Sequence, residues 1–128
     1  MTGDGNLLLD VGPMPDGRIE PRQVTVLRQT GAWLAKYGES IYGTRGGPIA
    51  NGAWGGSTRK GNLVYLHILK WGGNEVTLPP LKARVRRAQA LTGGKVDIVQ
   101  SEDSTVVRMS ARDQSTVDTV IKLETQTR

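Results

Sequence analysis

The sequence lacks cysteine and phenylalanine, and it has a single histidine, His67, among its 128 residues. Without cysteine there can be no disulfide scaffold and no thiolate zinc site. One histidine is too few for an ordinary metal cluster, so we expect neither a metal nor another cofactor. Because phenylalanine is absent, the aromatic part of any core must come from the three tryptophans and three tyrosines.

Long apolar segments are missing as well. The longest apolar run is far shorter than the roughly 20 residues that a membrane-spanning helix needs. The first six residues, MTGDGN, contain neither the basic nor the apolar segment of a signal peptide. We therefore expect a soluble chain with no signal peptide of its own and no membrane partner, and the compartment stays open.

The formal net charge is +5, which raises the question of an anionic partner. Clustered Lys and Arg side chains favour phosphate binding, whereas dispersed ones usually mark solvated surface. The densest basic group is Lys82, Arg84, Arg86 and Arg87. We interpret it as a solvated strand face, with a functional anion site as the alternative. Because it lacks interleaved aromatic residues and a recognition helix, we predict no nucleic-acid partner.

The strongest local pattern is residues 6–21, NLLLDVGPMPDGRIEP. Three consecutive leucines that end at Gly-Pro are typical of a strand covered on both faces, as in a parallel sheet. Gly-Pro and Pro-Asp-Gly predict a loop over residues 12–17. Pro21 suits the first position of a helix, and Glu20 places negative charge near its positive end. This stretch therefore predicts a strand, a loop and a helix.

The helix is predicted from about residue 21 to residue 36. Val24, Leu27, Gly31 and Leu34 recur at spacings of three and four, which gives one apolar face. Gly31 on that face indicates close approach to a sheet, and Gly38 is predicted as a left-handed C-terminal cap. A parallel strand needs parallel neighbours that this sequence does not contain. Residues 1–44 are therefore predicted to be the last piece of a larger α/β domain.

The rest of the chain has a different period. Residues 45–56 are predicted to be a Gly-rich linker, and residues 57–128 carry short β-forming runs with short connections, which favour antiparallel pairing. Runs at spacings near ten residues indicate an antiparallel β-sandwich, so the fold class is α+β. The predicted strands are 63–69, 75–78, 84–91, 96–99, 104–109 and 117–123.

Few residues are candidates for chemistry. Asp10 ends the predicted first strand, and functional groups of (β/α) barrels gather at the C-terminal ends of strands. Asp10 either caps the following turn or contributes to a pocket rim. Trp54 and Trp71 either stack on sugar rings or are buried in the core or at an interdomain interface. His67 is interpreted as a structural histidine, with a ligand or general base as the alternative.

The sequence resembles the α-L-fucosidases of glycoside hydrolase family 29. In the first half the resemblance rests on GNLLLDVGP (5–13), PDGRI (15–19), GAWL (31–34) and GESIYGT (38–44). In the second half it rests on WGGSTRKGN (54–62), YLHIL (65–69) and DTVIKL (118–123). Order and spacing of these blocks match the C-terminal portion of that family, and one departure is Asp10, where the family usually has asparagine.

The resemblance implies that the chain is the last βα unit of a (β/α)8-like barrel followed by the C-terminal β-sandwich. It implies a retaining exo-glycosidase that removes terminal α-L-fucose, with both catalytic carboxylates upstream and none in this chain. The isolated chain is then expected to be inactive. Fucosylated glycans and the missing barrel portion are the implied partners, and self-association through exposed barrel surfaces is expected. Full-length members are often secreted, periplasmic or lysosomal. The alternative is a non-catalytic carbohydrate-binding or structural β-sandwich module.

Overall fold

The computed structural model describes residues 1–126. Helix α1 (Pro21–Tyr37) begins at the predicted proline, with Glu20 as its N-cap. The Glu20 carboxylate accepts hydrogen bonds from the backbone N–H groups of Arg22, at 3.0 Å, and Gln23, at 3.2 Å. These bonds satisfy two of the amides that every helix start leaves free. The start of α1 is therefore set by chemistry within four residues of sequence.

The end of α1 differs from the prediction. Gly38 was predicted to be a left-handed cap, and this is wrong, because its φ of −59° and ψ of −20° are right-handed. The chain continues directly into a short 3₁₀ turn (Gly38–Ser40). A Cβ atom at Gly38 would lie 2.8 Å from the ring of Tyr42, so close packing of that ring explains the glycine. The left-handed glycine of this region is Gly43, three residues after the 3₁₀ turn, with φ of 68°.

The described residues form two antiparallel sheets. The first has five strands in the order β1-β2-β3-β8-β5, and the second has three in the order β4-β7-β6. All six predicted strands are confirmed, with ends within two residues of the prediction. The strands are β1 (Arg45–Gly46), β2 (Gly55–Lys60), β3 (Leu63–Ile68), β4 (Glu75–Leu78), β5 (Val85–Ala90), β6 (Val96–Gln100), β7 (Thr105–Met109) and β8 (Thr119–Thr125).

Two strands add to the predicted set. Strand β1 lies inside the segment predicted to be a linker, and it pairs with β2 through Arg45 opposite Arg59 and Gly46 opposite Thr58. Strand β2 begins at Gly55, also inside that segment, and pairs along its whole length with β3. Glycine-rich sequence carries little strand signal, because glycine is depleted in strands. This region therefore forms strands because it pairs with neighbouring strands, above all with β3, and not because of its own sequence.

The core lies between the two sheets. Alternate residues of β3, namely Val64, Leu66 and Ile68, point into it, together with Val107 of β7 and Ile121 of β8. Leu66, Ile68, Val107 and Ile121 each expose 0% of their surface. Trp54 is also part of this cluster and supplies aromatic volume that phenylalanine provides in other proteins.

The opposite face of β3 is covered as well. Tyr65 and His67 alternate with the core residues, yet they are also buried, at 1% and 7% exposure. Trp33, near the end of α1, lies over this face, with its ring centroid 6.4 Å from that of His67. The last turns of α1 therefore pack on the outer face of the five-stranded sheet.

The leucine segment is not a strand in this chain. Residues 6–11 have no strand partner among the described residues, and Leu7 and Leu8 expose 86% and 85% of their surface. The predicted burial of this segment is therefore wrong for the chain as it stands. A strand needs neighbouring strands that exchange backbone hydrogen bonds with it, and no strand within residues 1–126 pairs with this segment.

Before its last turns, helix α1 also has few neighbours among the described residues. None of its 17 described residues is buried. Apart from the neighbouring backbone of α1 itself and the residues on either side, no described atom lies within 4 Å of a Cβ built on Gly31, so the predicted close approach to a sheet does not occur here. The amphipathic face of α1 thus stays largely open. No helix within residues 1–126 is long and apolar enough to cross a membrane.

Candidate functional site

The turn between the leucine segment and α1 is well defined. Pro13 and Ile19 form an antiparallel bridge, and Gly17, at φ of 83°, donates its N–H to the Met14 carbonyl at 2.8 Å. The Asp16 carboxylate accepts hydrogen bonds from the Arg18 side chain and backbone, which lower the pKa of Asp16. The predicted loop over residues 12–17 is therefore confirmed.

Asp10 lies on the wall of a groove between the leucine segment and the first turns of α1. The groove has a volume of about 360 Å³, and Asp10 is the one carboxylate among the described residues that line it. Cleavage of a glycosidic bond ordinarily needs a pair of carboxylates. This groove therefore lacks that machinery, and the role of Asp10 at a pocket rim stays a prediction. The groove is lined by Leu9, Asp10, Val11, Arg22, Gln23, Val26 and Leu27.

The residues that precede the leucine segment are attached to the first sheet. Oδ1 of Asp4 accepts a hydrogen bond from the Gly46 N–H at 2.6 Å and lies 3.1 Å from Nε of Arg45. The hydrogen bond from Gly46, followed by the charge of Arg45, lowers the pKa of Asp4. A Cβ atom at Gly46 would lie 2.8 Å from the Thr2 carbonyl oxygen, so the glycine permits this approach. We call this contact the Asp4 anchor.

The residues that follow α1 are attached to the same sheet. Oε2 of Glu39 accepts hydrogen bonds from Nζ of Lys122 on β8, at 2.7 Å, and from the Tyr65 hydroxyl on β3, at 3.0 Å. Beside it, the Thr58 hydroxyl donates to the Ser40 carbonyl at 2.6 Å. We call the contact of Glu39 with Tyr65 and Lys122 the Glu39 anchor. It connects the end of α1 to β3 and β8, two interior strands of the sheet.

The Glu39 anchor also changes two pKa values. The hydrogen bond from Lys122 is the main cause that lowers the pKa of Glu39, and the Tyr65 hydroxyl adds to it. Burial is the main cause that raises the pKa of Tyr65 to about 12, with Glu39 adding to it. The anchor is therefore charged on Glu39 and neutral on Tyr65 across the physiological range.

His67 pairs with Asp118. Its Nδ1 lies 2.8 Å from Oδ2 of Asp118, and both residues are buried. A buried imidazole held by a carboxylate fits the structural interpretation of His67. Within residues 1–126, no group of three or more His, Cys, Asp or Glu side chains is placed to hold a metal ion.

The two candidate tryptophans lie in the sheet half of the chain. Trp54 exposes 8% of its surface in the core, which leaves no open ring face for a sugar. Trp71 is half-buried against the same core, and its Nε1 donates to the Thr119 hydroxyl at 3.1 Å. Their predicted part in an interdomain contact stays a prediction.

Sequence reasoning missed the Glu39 anchor and the partner of His67. Glu39 meets residues 26 and 83 positions away, and Asp118 lies 51 positions from His67. No periodic or local signal connects residues at such separations. Pairing of β3 with β8 brings both sets together, so these contacts depend on sheet topology.

Comparisons with known proteins all lead to one family. A family model described as alpha-L-fucosidase matches residues 1–39. An α-L-fucosidase of Branchiostoma floridae is 40% identical over 72 residues, which cover 52% of this chain and 16% of that protein. The plasma α-L-fucosidase of Homo sapiens is also 40% identical over 72 residues, covering 52% of this chain and 15% of that protein.

Solved structures extend the similarity to the whole fold. α-L-Fucosidase isoenzyme 1 from Paenibacillus thiaminolyticus superposes with a TM-score of 0.82 at 35% identity, over 96% of this chain and 31% of that one. This chain is similar in sequence and fold to the α-L-fucosidases. The α-fucosidase of Thermotoga maritima superposes with a TM-score of 0.76 at 27% identity, over 95% of this chain and 31% of that one. The family resemblance read from the sequence is thereby confirmed.

The α-L-fucosidase similarity covers both halves of the chain. The family model reaches residue 39, whereas the superposed structures include α1 and both sheets. The chain spans less than a third of the solved α-L-fucosidases and about a sixth of the curated relatives that it matches. It therefore corresponds to a part of these enzymes.

Proposed function

We propose that this chain is the C-terminal part of an α-L-fucosidase. In this proposal residues 1–44 are the last βα unit of a (β/α)8-like barrel and residues 57–128 are the C-terminal sandwich. Residues 45–56 are the Gly-rich linker between them, which includes β1 and the first two residues of β2. The observation that carries it is the exposure of Leu7 and Leu8, 86% and 85%, in a chain that matches 31% of a solved relative.

The exposed leucine segment indicates what the missing partner supplies. Burying one leucine stabilises a protein by roughly 1.5–3 kcal/mol, so three consecutive exposed leucines leave a large stabilisation unused. Val26, on α1, is also 57% exposed. Neighbouring barrel strands and helices would cover such residues on both faces. The missing barrel portion of the same enzyme is therefore the proposed partner.

The proposed reaction is retaining hydrolysis of terminal α-L-fucose from fucosylated glycans. An upstream aspartate attacks the anomeric carbon and forms a covalent fucosyl-enzyme, while an upstream acid protonates the departing oxygen. Water then attacks the anomeric carbon, the same group accepts its proton, and fucose leaves. Residues 1–126 contribute Asp10 to the pocket rim in this proposal, and the isolated chain is inactive.

The two anchors suggest what the sandwich contributes. The Asp4 anchor precedes the leucine segment and the Glu39 anchor follows α1, and both reach the five-stranded sheet. In (β/α) barrels, the N-terminal ends of strands lie opposite the active-site face. Six extended residues from Asp4 to Asp10 would span about 20 Å. The proposed sandwich therefore supports the last barrel unit from the end away from the pocket.

An activity assay tests the location of catalysis. We expect no release of nitrophenol when the purified chain is incubated with 4-nitrophenyl α-L-fucoside, because one wall carboxylate cannot complete the retaining cycle. A full-length α-L-fucosidase at the same molar concentration is the positive control. Fucoside cleavage by the chain that disappears in Asp10→Asn would place catalysis here and refute the upstream assignment.

A sedimentation experiment tests the missing barrel contact. We expect concentration-dependent self-association of the chain through its exposed leucines, because apolar patches of this kind drive association. The triple variant L7S/L8S/L9S should sediment as a monomer, and V99S, which removes an exposed valine of the second sheet, is the matched control. A wild-type monomer at every concentration would argue against an unsatisfied barrel surface.

A further inference from the structure

Two adjoining grooves lie on either side of residues 80–83. Their volumes are about 290 Å³ and 480 Å³, and Lys82 lines both. Arg59 lines the smaller groove and Arg84 the larger one. Glu102, in the larger groove, is the one carboxylate among the described lining residues. Positive charge therefore exceeds negative charge in these grooves.

The backbone that carries these cations is fixed by Gln100 on β6. Oε1 of Gln100 accepts the Val85 N–H at 2.8 Å, and Nε2 donates to the carbonyls of Leu81 at 3.2 Å and Ala83 at 2.9 Å. The Leu81 N–H also donates to the buried Thr105 hydroxyl at 3.0 Å. A ligand would meet cations on a backbone that is already ordered, which lowers the entropic cost of binding.

The basic surface continues along β5, an edge strand of the first sheet. A bulge between Val85 and Arg87 interrupts the usual alternation of side chains along a strand, so Arg86 and Arg87 are both exposed. Arg87 lies 3.9 Å from Glu124, a loose contact. The ion pairs within residues 1–126 include none made by Lys82, Arg84 or Arg86. We call Lys82, Arg84, Arg86 and Arg87 the basic strip.

We propose that the grooves and the basic strip bind an anionic glycan that carries sulfate or carboxylate groups. Lys and Arg form charge-assisted hydrogen bonds with such oxyanions, and binding a polyanion releases its counterions. The described lining residues include no aromatic side chain, whereas proteins that bind single-stranded nucleic acids stack bases on aromatics. The choice of a glycan rests on the proposed fucosidase function.

Matched double variants test this site in the full chain. The probe is a sulfated fucan oligosaccharide, with its desulfated form as a second probe, and calorimetry measures the dissociation constant at several salt concentrations. For K82Q/R84Q we expect about tenfold weaker binding and a salt slope reduced by about two, since each lost ionic contact removes about one. R28Q/K36Q removes the same two residue types from exposed positions of α1 and should change binding less than twofold.

Three outcomes would overturn the proposal. Equal losses in the two double variants would mean that only net charge matters. Equal affinity for the desulfated probe would exclude recognition of anionic groups, and tighter binding of single-stranded DNA would replace the glycan with a nucleic acid. If K82Q/R84Q does not fold, K82Q alone should reduce the slope by about one. Because binding is measured without activity, failure here is distinct from failure of the proposed fucosidase function.

Discussion

The chain has two regions with similar apolar side chains but different burial. One region is the leucine segment with α1, and the other is the pair of sheets. Leu8 exposes 85% of its surface, whereas Leu66 on β3 exposes 0%. Helix α1 buries none of its 17 described residues, whereas five of the six residues of β3 are buried. The side chains do not account for this difference, because both segments are apolar. The presence or absence of neighbouring elements decides whether an apolar segment is buried.

The two regions also differ in what stabilises them. The sheets share a core, whereas α1 has its own hydrogen bonds, the Glu20 cap and the Glu39 anchor. Most helical stability in proteins comes from the packing of an apolar face, and α1 buries none of its 17 described residues. We therefore expect the stability of α1 to depend on the contacts at its two ends, and the stability of the sheets to depend on the packing of their shared core.

Matched leucine truncations should give the largest contrast between the regions. We expect Leu66→Ala to lower the free energy of unfolding by about 3 kcal/mol, because it leaves a cavity between the sheets. Leu8→Ala should change it by less than about 0.5 kcal/mol, since that side chain is exposed. Urea titration of both variants measures the difference. Equal losses would show that the leucine segment is buried in solution.

A second contrast concerns polar contacts inside the sheet half. Gln100→Ala removes three hydrogen bonds to the backbone of residues 81–85, and we expect a loss of about 2 kcal/mol. Gln89→Ala, at an exposed position of β5, is the matched control and should cost less than about 0.5 kcal/mol. The same titration applies. A Gln100 variant as stable as the control would mean that water replaces these bonds without loss.

A smaller effect is expected where the two regions meet. Glu39→Gln keeps the shape of the side chain but removes the charge that Lys122 and Tyr65 recognise, and we expect a loss of about 1 kcal/mol. Amide exchange in the last turn of α1 should become faster, while exchange in β7 should not change. Glu75→Gln, which removes the exposed contact with Arg108, is the control. If amide exchange in the last turn of α1 were unchanged in Glu39→Gln, the stability of the helix would not depend on this anchor.

The Glu39 anchor should contribute fully to stability only within a limited pH range. Because the pKa of Glu39 is lowered in the fold, its contribution is complete above its ordinary pKa of 4.5 and is lost as the pH falls further. Because burial and Glu39 raise the pKa of Tyr65 from 10.0 to about 12, that contribution is complete below pH 10 and is lost as the pH rises toward 12. Thermal unfolding of the wild type should show stability falling below pH 4.5 and above pH 10. The fall on the acid side should be smaller in Glu39→Gln, and the fall on the alkaline side should be smaller in Tyr65→Phe. Profiles parallel to wild type would contradict this assignment.

The smallest effect is expected at Asp10. Asp10→Asn restores the residue usual in the resembled family, and we expect a change below about 0.5 kcal/mol because Asp10 is exposed. Urea titration again provides the measurement, with Asp97→Asn at an exposed position of β6 as the control. A loss well above that of the control would favour the alternative in which Asp10 caps the following turn.

Structural features that depend on only a few neighbouring residues were predicted correctly. Pro-Asp-Gly gave the turn at Gly17, and Glu20-Pro21 gave the start of α1, because both depend on φ preferences and nearby hydrogen bonds. The β-forming runs gave six strands and their antiparallel arrangement, because short connections leave few other ways to pair. The sequence blocks also identified the family resemblance.

Tertiary structure alone decided the remaining features. It placed Glu39 beside Tyr65 and Lys122 and paired His67 with Asp118, because these residues meet only when β3 and β8 pair. It also gave Gly38 a packing role against Tyr42 in place of a cap. The leucine segment is a further example. Its apolar sequence determines that it prefers burial, but only the elements around it determine whether burial occurs.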